Sequence, residues 1–419
     1  MSENKNELDK LDDINLSKSV AAEQPKTEQE LKQMLNSVSP WKIILPIVLG
    51  LGLVVYMLVA NFNAEEFSKI NMTTHTYFWI GMAALFVCIR HFCYMVRLRV
   101  ITEGQFSWRK CFDLIVIWEF SSALTPTSVG GSAVSMFVIS REKGMTAGRT
   151  VMIVLYTVVV DTFFFLTMLC VFFAIFGARA IFPGCDSLTD LLNHGWATAF
   201  LGAFSFMFIY GSLVFYGVIV NGNALRRFLL GLFSLPLLRR FKKGVEHFTG
   251  DMVAASTQIR GKGWRFHFGA IGATAGAWMS RFMVLNCLIL AFITYSDNVE
   301  VKAHYDQLMI NELDYNIVTQ QVFIYAREQA MYVLMAVIPS PGAAGGAEFA
   351  FLAFHADYLP APQMIDGKEV IPTLSIIIGT IWRLLTFYSY LIFGAIVVPR
   401  WVASLMAKPQ ERGTENKNL

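Results

Sequence analysis

Apolar runs long enough to cross a bilayer alternate with short charged connectors along nearly the whole chain. Such runs stand at residues 43–60, 77–96, 151–176, 198–220, 268–295 and 374–398. A helix rises about 1.5 Å per residue, so runs of about twenty residues predict helices spanning a hydrocarbon core of about 30 Å. Two further apolar segments, 111–140 and 322–355, are interrupted by polar, glycine-rich breaks. The first break carries Pro126, Gly130, Gly131 and Ser132; the second carries Pro339, Pro341, Gly342, Gly345 and Gly346 and ends at Glu348. The arms beside them, about ten to eighteen residues each, are mostly too short to span alone, which puts both breaks at membrane depth. Irregular backbone is tolerated there only inside protein or along a water-filled cavity, so two breaks in one chain point to a site.

The charges between the runs set an orientation. Connectors holding Arg97, Arg99, Arg109, Lys110, Arg141, Lys143 and Arg149 are basic, and the stretch 222–265 is the most basic in the chain. Connectors holding Asp186 and Asp190, residues 297–314 and residues 357–369 are acidic. Lysine and arginine accumulate in short cytoplasmic loops, which places the basic connectors inside. Segment 111–140 has basic connectors on both sides and segment 322–355 has acidic ones. Each is therefore expected to enter and leave by one face as a re-entrant hairpin; a single kinked spanning helix is the alternative for the first. The order span, hairpin, span then occurs twice in opposite orientation, an inverted repeat of the kind secondary transporters use. The expected fold class is an all-α integral membrane protein, a polytopic helical bundle with two re-entrant broken-helix hairpins in an inverted repeat. Residues 1–40 are expected to be a disordered cytoplasmic tail, 41–400 the membrane domain with its basic cytoplasmic loop 222–265, and 401–419 a second cytoplasmic tail. The basic loop reads as interfacial helices against an anionic membrane surface.

Composition agrees with this and excludes several functions. The 419 residues are 55% hydrophobic and only 16% charged, with a mean hydropathy of +0.49, which no soluble core requires. Residues 1–40 have no apolar run behind a basic start and are not a cleaved signal peptide. Cys88, Cys93, Cys111, Cys170 and Cys287 lie in or beside apolar runs and Cys185 in a loop, without a CxxC pair, so no disulfide framework follows. The histidines lack metal-site spacing, and the glycine breaks do not fit a nucleotide phosphate loop. No cofactor, metal or nucleic-acid partner is expected, and homo-oligomerisation is left open.

Charged residues inside the apolar runs are the informative exceptions, since each costs about 2.5 to 3.5 kcal/mol at a helix centre. They are Arg90, Glu119, Asp161, Arg281, Arg327, Glu328, Glu348 and Arg383; Arg97 is assigned to the interface. Structural pairing is one reading, with Asp161 held by an arginine from another helix. The other is a headgroup site. Arg90, Arg281 and Arg383 lie on three runs of the repeat, and a guanidinium is a planar donor suited to phosphate. The helix starts near Gly131 and Gly345 would add free N–H groups. Glu348 and Glu119, with Asp161, would take an amine or pair with an arginine when the site is empty.

The segment Pro126 to Ser132 with Arg141, then Asp161, then the proline-glycine motif ending at Glu348, and finally Trp382-Arg-Leu-Leu-Thr-Phe-Tyr388, resembles the lysylphosphatidylglycerol synthase transmembrane-region family. The resemblance covers about residues 41–400 and implies a lipid-handling membrane protein. In the multiple peptide resistance factor, this domain is understood to move aminoacylated phosphatidylglycerol between leaflets while a soluble domain makes it. The chain ends about twenty residues after its last apolar run, so an appended synthase is not expected. Thr157 to Val160 are uncharged where members often carry a glutamate-arginine pair. The expectation is a non-enzymatic flippase for a phospholipid or other phosphate-headgroup lipid in a bacterial cytoplasmic membrane, with both termini inside. The alternatives are a membrane-embedded transferase or hydrolase acting on a polyprenyl-phosphate or glycolipid, and a lipid-binding scaffold that transports nothing.

Overall fold

The computed structural model describes residues 67–406, apart from 69, 71, 126–127, 194, 236–238, 297, 300, 304–305, 307–315, 339, 344, 361–362 and 366–367. The expected first span at 43–60, the tail 1–40 and residues 407–419 lie outside the described residues. Helix α1 is Thr74–Ile101, opened by a capping box in which Thr73 and Thr76 exchange side-chain to backbone hydrogen bonds.

The first broken segment forms two helices, α2 (Trp108–Leu124) and α3 (Ser128–Ser140). They fold back on one another. Lys110, in the first turn of α2, donates to Glu142 just beyond α3 at 2.9 Å, and Gln105 donates to the Lys143 carbonyl at 3.2 Å. Both free ends therefore lie together, as a hairpin requires and one kinked spanning helix does not allow. Gly131 permits the close return: a Cβ there would sit 2.1 Å from Ser122 Oγ and 2.6 Å from its Cα.

Helix α4 (Ala147–Phe176) is capped by the Thr146 hydroxyl and ends at Gly177, which takes φ 76°. After the short α5 (Leu188–Asn193), α6 (Gly195–Phe215) runs into a wide turn at Tyr216–Val220. The basic stretch forms α7 (Gly222–Leu232) and α8 (Lys242–Ile259). Helix α8 buries Met252, Val253, Ala255 and Ile259 and leaves Lys242 and Lys243 exposed, as an amphipathic helix at a bundle surface does.

Helix α9 (Trp264–Ile289) continues as a wide turn to Thr294. The second broken segment comprises α10 (Ile317–Met335), a turn at Pro341–Ala343 and α11 (Gly346–Phe354). It too returns on itself, since Tyr358 beyond α11 donates to Gln320 at the start of α10, 2.7 Å away. A two-stranded antiparallel ribbon, β1 (Gln363–Ile365) with β2 (Lys368–Val370), precedes α12 (Thr373–Arg383). A wide turn at Leu384–Tyr388 leads to α13 (Ser389–Met406), so the last helix extends past the expected boundary at 400.

Among the described residues, five helices are long and apolar enough to cross a membrane: Thr74–Ile101, Gly148–Phe176, Gly195–Val220, Trp264–Thr294 and Thr373–Ser404. The fourth is the centre of the bundle, with 78% of its apolar window buried against 17% to 33% for the others. The outer helices expose Phe78, Phe92, Phe163, Phe206 and Ile209, side chains that hydrocarbon rather than water would cover.

Candidate functional site

Around the central helix the structure gathers most of the intramembrane charges. One face of α1 carries Arg90, Tyr94 and Arg97 at helical spacing, with Tyr94 between two guanidinium groups 5.1 and 4.6 Å from its ring. Arg90 is closed in an ion pair with Glu119 of α2, and its guanidinium also lies over Tyr390 at 4.8 Å. Arg97 donates to Asp161 of α4 at 2.5 Å and to Thr274 of α9 at 3.3 Å. The Trp278 indole donates to the same Asp161 oxygen at 2.8 Å. Arg97 is thus a buried cluster residue and not an interfacial one; α1 runs on to Ile101, which keeps Arg97 inside the bundle.

Arg281 is different. It is 8% exposed and stacked over Tyr332 at 4.6 Å, yet it makes no hydrogen bond or ion pair among the described residues. Glu119 and Glu328 both lie within Coulombic reach of it without touching it. Three arginines (90, 97 and 281) and three carboxylates (119, 161 and 328) therefore form one electrically balanced cluster, in which only Arg281 and Glu328 lack an opposite charge in contact.

The third predicted arginine stands at the second hairpin. Arg383 Nε donates to Glu348 Oε1 at 3.0 Å and Arg383 Nη1 to the Gly342 carbonyl at 3.1 Å. Glu348 Oε2 accepts the Gly345 N–H at 2.8 Å, so this carboxylate occupies the helix start itself. The N–H expected to be free for an anion at Gly345 is already taken. At the first hairpin α3 begins at Ser128, within one turn of Gly131. Gly342 and Gly345 take φ 59° and 85°, conformations that favour glycine, and a Cβ on Gly346 would meet Ile338 at 2.6 Å. Gly130 and Ser132 lie in α3 and Pro341 in the turn, while Pro126 and Pro339 fall outside the described residues. The cleft beside Arg383, between α11 and α12, has a volume of about 30 Å³, room for a water but not a headgroup.

A larger pocket of about 370 Å³ opens at the basic end, between the start of α2 and the end of α13. Arg109, Lys110, Asp113, Arg400 and Trp401 line it, and the Trp401 indole donates to Glu142 at 3.1 Å. Within the described residues no cluster of histidine, cysteine or acidic side chains suits a metal ion.

The fold and these buried charges define a polytopic α-helical membrane protein. Residues 43–295 match the lysylphosphatidylglycerol synthase transmembrane region, and the chain belongs to that family. The second hairpin and Arg383 lie beyond the matched residues, so the family match is shorter than the motif resemblance. A UPF0104 membrane protein of Archaeoglobus fulgidus is 24% identical over 332 residues, covering 76% of this chain and 86% of its own length. No solved structure matches the chain at a significant level.

Sequence reasoning left Arg97, Trp278, Tyr332 and Trp382 out of the site and gave Glu328 no role. Glu328 had a usable signal. Its neighbour Arg327 invites a pairing, but adjacent helix positions do not face each other. Arg327 instead donates to Asp357 at 2.9 Å and to the Arg179 carbonyl at 2.9 Å.

Proposed function

We propose that this protein is a lipid transporter of flippase type, moving a phospholipid or other phosphate-headgroup lipid between leaflets of the cytoplasmic membrane. The observation that carries the reading is Arg281: a guanidinium buried on the central helix and, among the described residues, left without a direct hydrogen-bond or ion-pair partner. Removing such an ion from water costs several kcal/mol, which a phosphate would offset through two parallel charge-assisted hydrogen bonds. The acyl chains stay in lipid beside the exposed apolar faces of the outer helices.

The family supports lipid handling, and the two hairpins supply the irregular backbone that transporter sites are built from. In this reading the hairpins are re-entrant, the two halves form an inverted repeat, and the basic end with its pocket faces the cytoplasm. The pocket with Arg109, Lys110 and Arg400 is where an anionic headgroup first meets the protein. Arg90 and Arg383 hold the scaffold through Glu119 and Glu348, and Arg281 holds the substrate.

Mass spectrometry of lipids co-purified with the wild-type chain and with Arg281→Gln tests this. One enriched phosphorylated lipid, lost in the variant, is expected. Unselective bulk lipid in both samples would contradict it, and a covalently altered lipid appearing on incubation would favour a transferase or hydrolase.

A further inference from the structure

Glu328 is a buried carboxylate with no cation in contact among the described residues. It is 2% exposed; Oε1 accepts the Trp382 indole N–H at 2.9 Å, and Oε2 has no partner among the described residues. The groups facing it follow element by element. Helix α9 contributes Arg281, within Coulombic reach but not in contact. Its own helix contributes Tyr325, whose hydroxyl is also unpartnered, while Arg327 is turned toward Arg179 and Asp357. Arg383 of α12 and Glu348 of α11 are closed on each other, and Asp161 of α4 is held by Arg97 and Trp278. Helix α6 carries no acid, lysine, arginine or histidine.

A path leads to it. Gln321 Nε2, Tyr325 Oη and Glu328 Oε2 are buried without partners among the described residues at positions i, i+4 and i+7 of α10; Gln329 Oε1 of the same helix and Asn286 Oδ1 of α9 are likewise unpartnered, and Asn286 Nδ2 donates to Gln321 Oε1 at 2.9 Å. That spacing is one helix face, running about 10 Å from Glu328 to the first turns of α10 at the end where the acidic connectors lie. Native proteins satisfy nearly all buried polar atoms, and a file of them with no protein partner suits a chain of water molecules.

Charge balance supplies the reason for such a path. With all six groups ionised the cluster is neutral, so a phosphate monoanion entering it leaves a buried net charge unless a cation follows. Under the repeat reading, Arg90 with Glu119 corresponds to Arg281 with Glu328, and here the first pair is closed and the second open.

We propose that Glu328 is the proton-carrying residue of this transporter. Its carboxylate takes up one proton along the polar file, becomes a neutral acid and leaves Arg281 to the lipid phosphate. On releasing that proton it draws Arg281 back and expels the headgroup. This rests on the flippase reading, and the test separates the two.

Infrared difference spectra of the full-length protein in liposomes, recorded across a pH titration, read the carboxylic-acid carbonyl stretch directly. A band that grows from mildly alkaline to mildly acidic pH, above the range in which exposed carboxyls protonate, is expected in wild type and in Asp186→Asn, whose side chain is 78% exposed, retained in Glu328→Asp and lost in Glu328→Gln. An unchanged band in Glu328→Gln would overturn the assignment. Binding of dihexanoyl-phosphatidylglycerol is then expected to weaken about tenfold or more in wild type from mildly acidic to mildly alkaline pH, and about twofold or less in Glu328→Gln. Equal pH dependence in both would overturn the coupling. A Glu328 band without any binding of this probe would count against the lipid reading and leave the protonation site standing.

Discussion

Arginines 90, 97, 281 and 383 look alike in the sequence and behave differently in the bundle. Arg383 and Glu348 are 5% and 10% exposed, and cutting one leaves the other charge buried alone. Arg383→Ala is therefore expected to cost about 3 to 5 kcal/mol of stability, a cost that Arg281→Gln, with no direct partner to strand among the described residues, largely avoids. Thermal melts of the two variants in detergent check this; equal losses would mean that Arg281 is structural. At this scale the sequence was informative about identity and silent about pairing. A charge in an apolar run is visible one residue at a time, so Arg90, Glu119, Asp161, Arg281, Glu348 and Arg383 could all be singled out. Which arginine meets which acid depends on helices brought together from distant parts of the chain, as Arg97 on α1 and Asp161 on α4 show.

The broken segments were legible as elements because proline and glycine interrupt an apolar run, and the like charges on both sides of each led to the expectation of a hairpin, whose folded-back ends the structure shows. The close contacts were not legible. Gly342 combines φ 59° with a Phe387 ring atom 2.2 Å from where a Cβ would lie, and Gly394 would place its Cβ 2.2 Å from the Phe120 ring. Gly342→Ala is expected to destabilise the second hairpin by about 1 to 3 kcal/mol through overpacking and left-handed strain, read as faster proteolysis after Met335 or a lower melting temperature. Wild-type behaviour of that variant would mean that the turn relaxes freely. The helix starts fared worse in the sequence reading, because the Glu348 carboxylate that caps Gly345 sits three residues along the same helix, and only the folded turn shows that it bends back.

For the whole molecule, the hairpins predict an unusual accessibility pattern. Cysteines placed at Gln105 and Lys143, on either side of the first hairpin, are both expected to react with a membrane-impermeant reagent from the basic face alone. Labelling of the two from opposite faces would refute re-entry. Five long helices and two folded-back segments were largely predictable from hydropathy and charge. The centrality of Trp264–Thr294 was not, since its apolarity resembles that of its neighbours and only packing distinguishes it. The central claim is that Arg281 on this helix holds a lipid phosphate during transport. It is tested most directly by reconstituting wild-type and Arg281→Gln protein into liposomes and following transbilayer movement of a fluorescent phosphatidylglycerol by external chemical quenching. The account predicts rapid movement with wild type and protein-free rates with a folded Arg281→Gln variant; undiminished movement in that variant would contradict it.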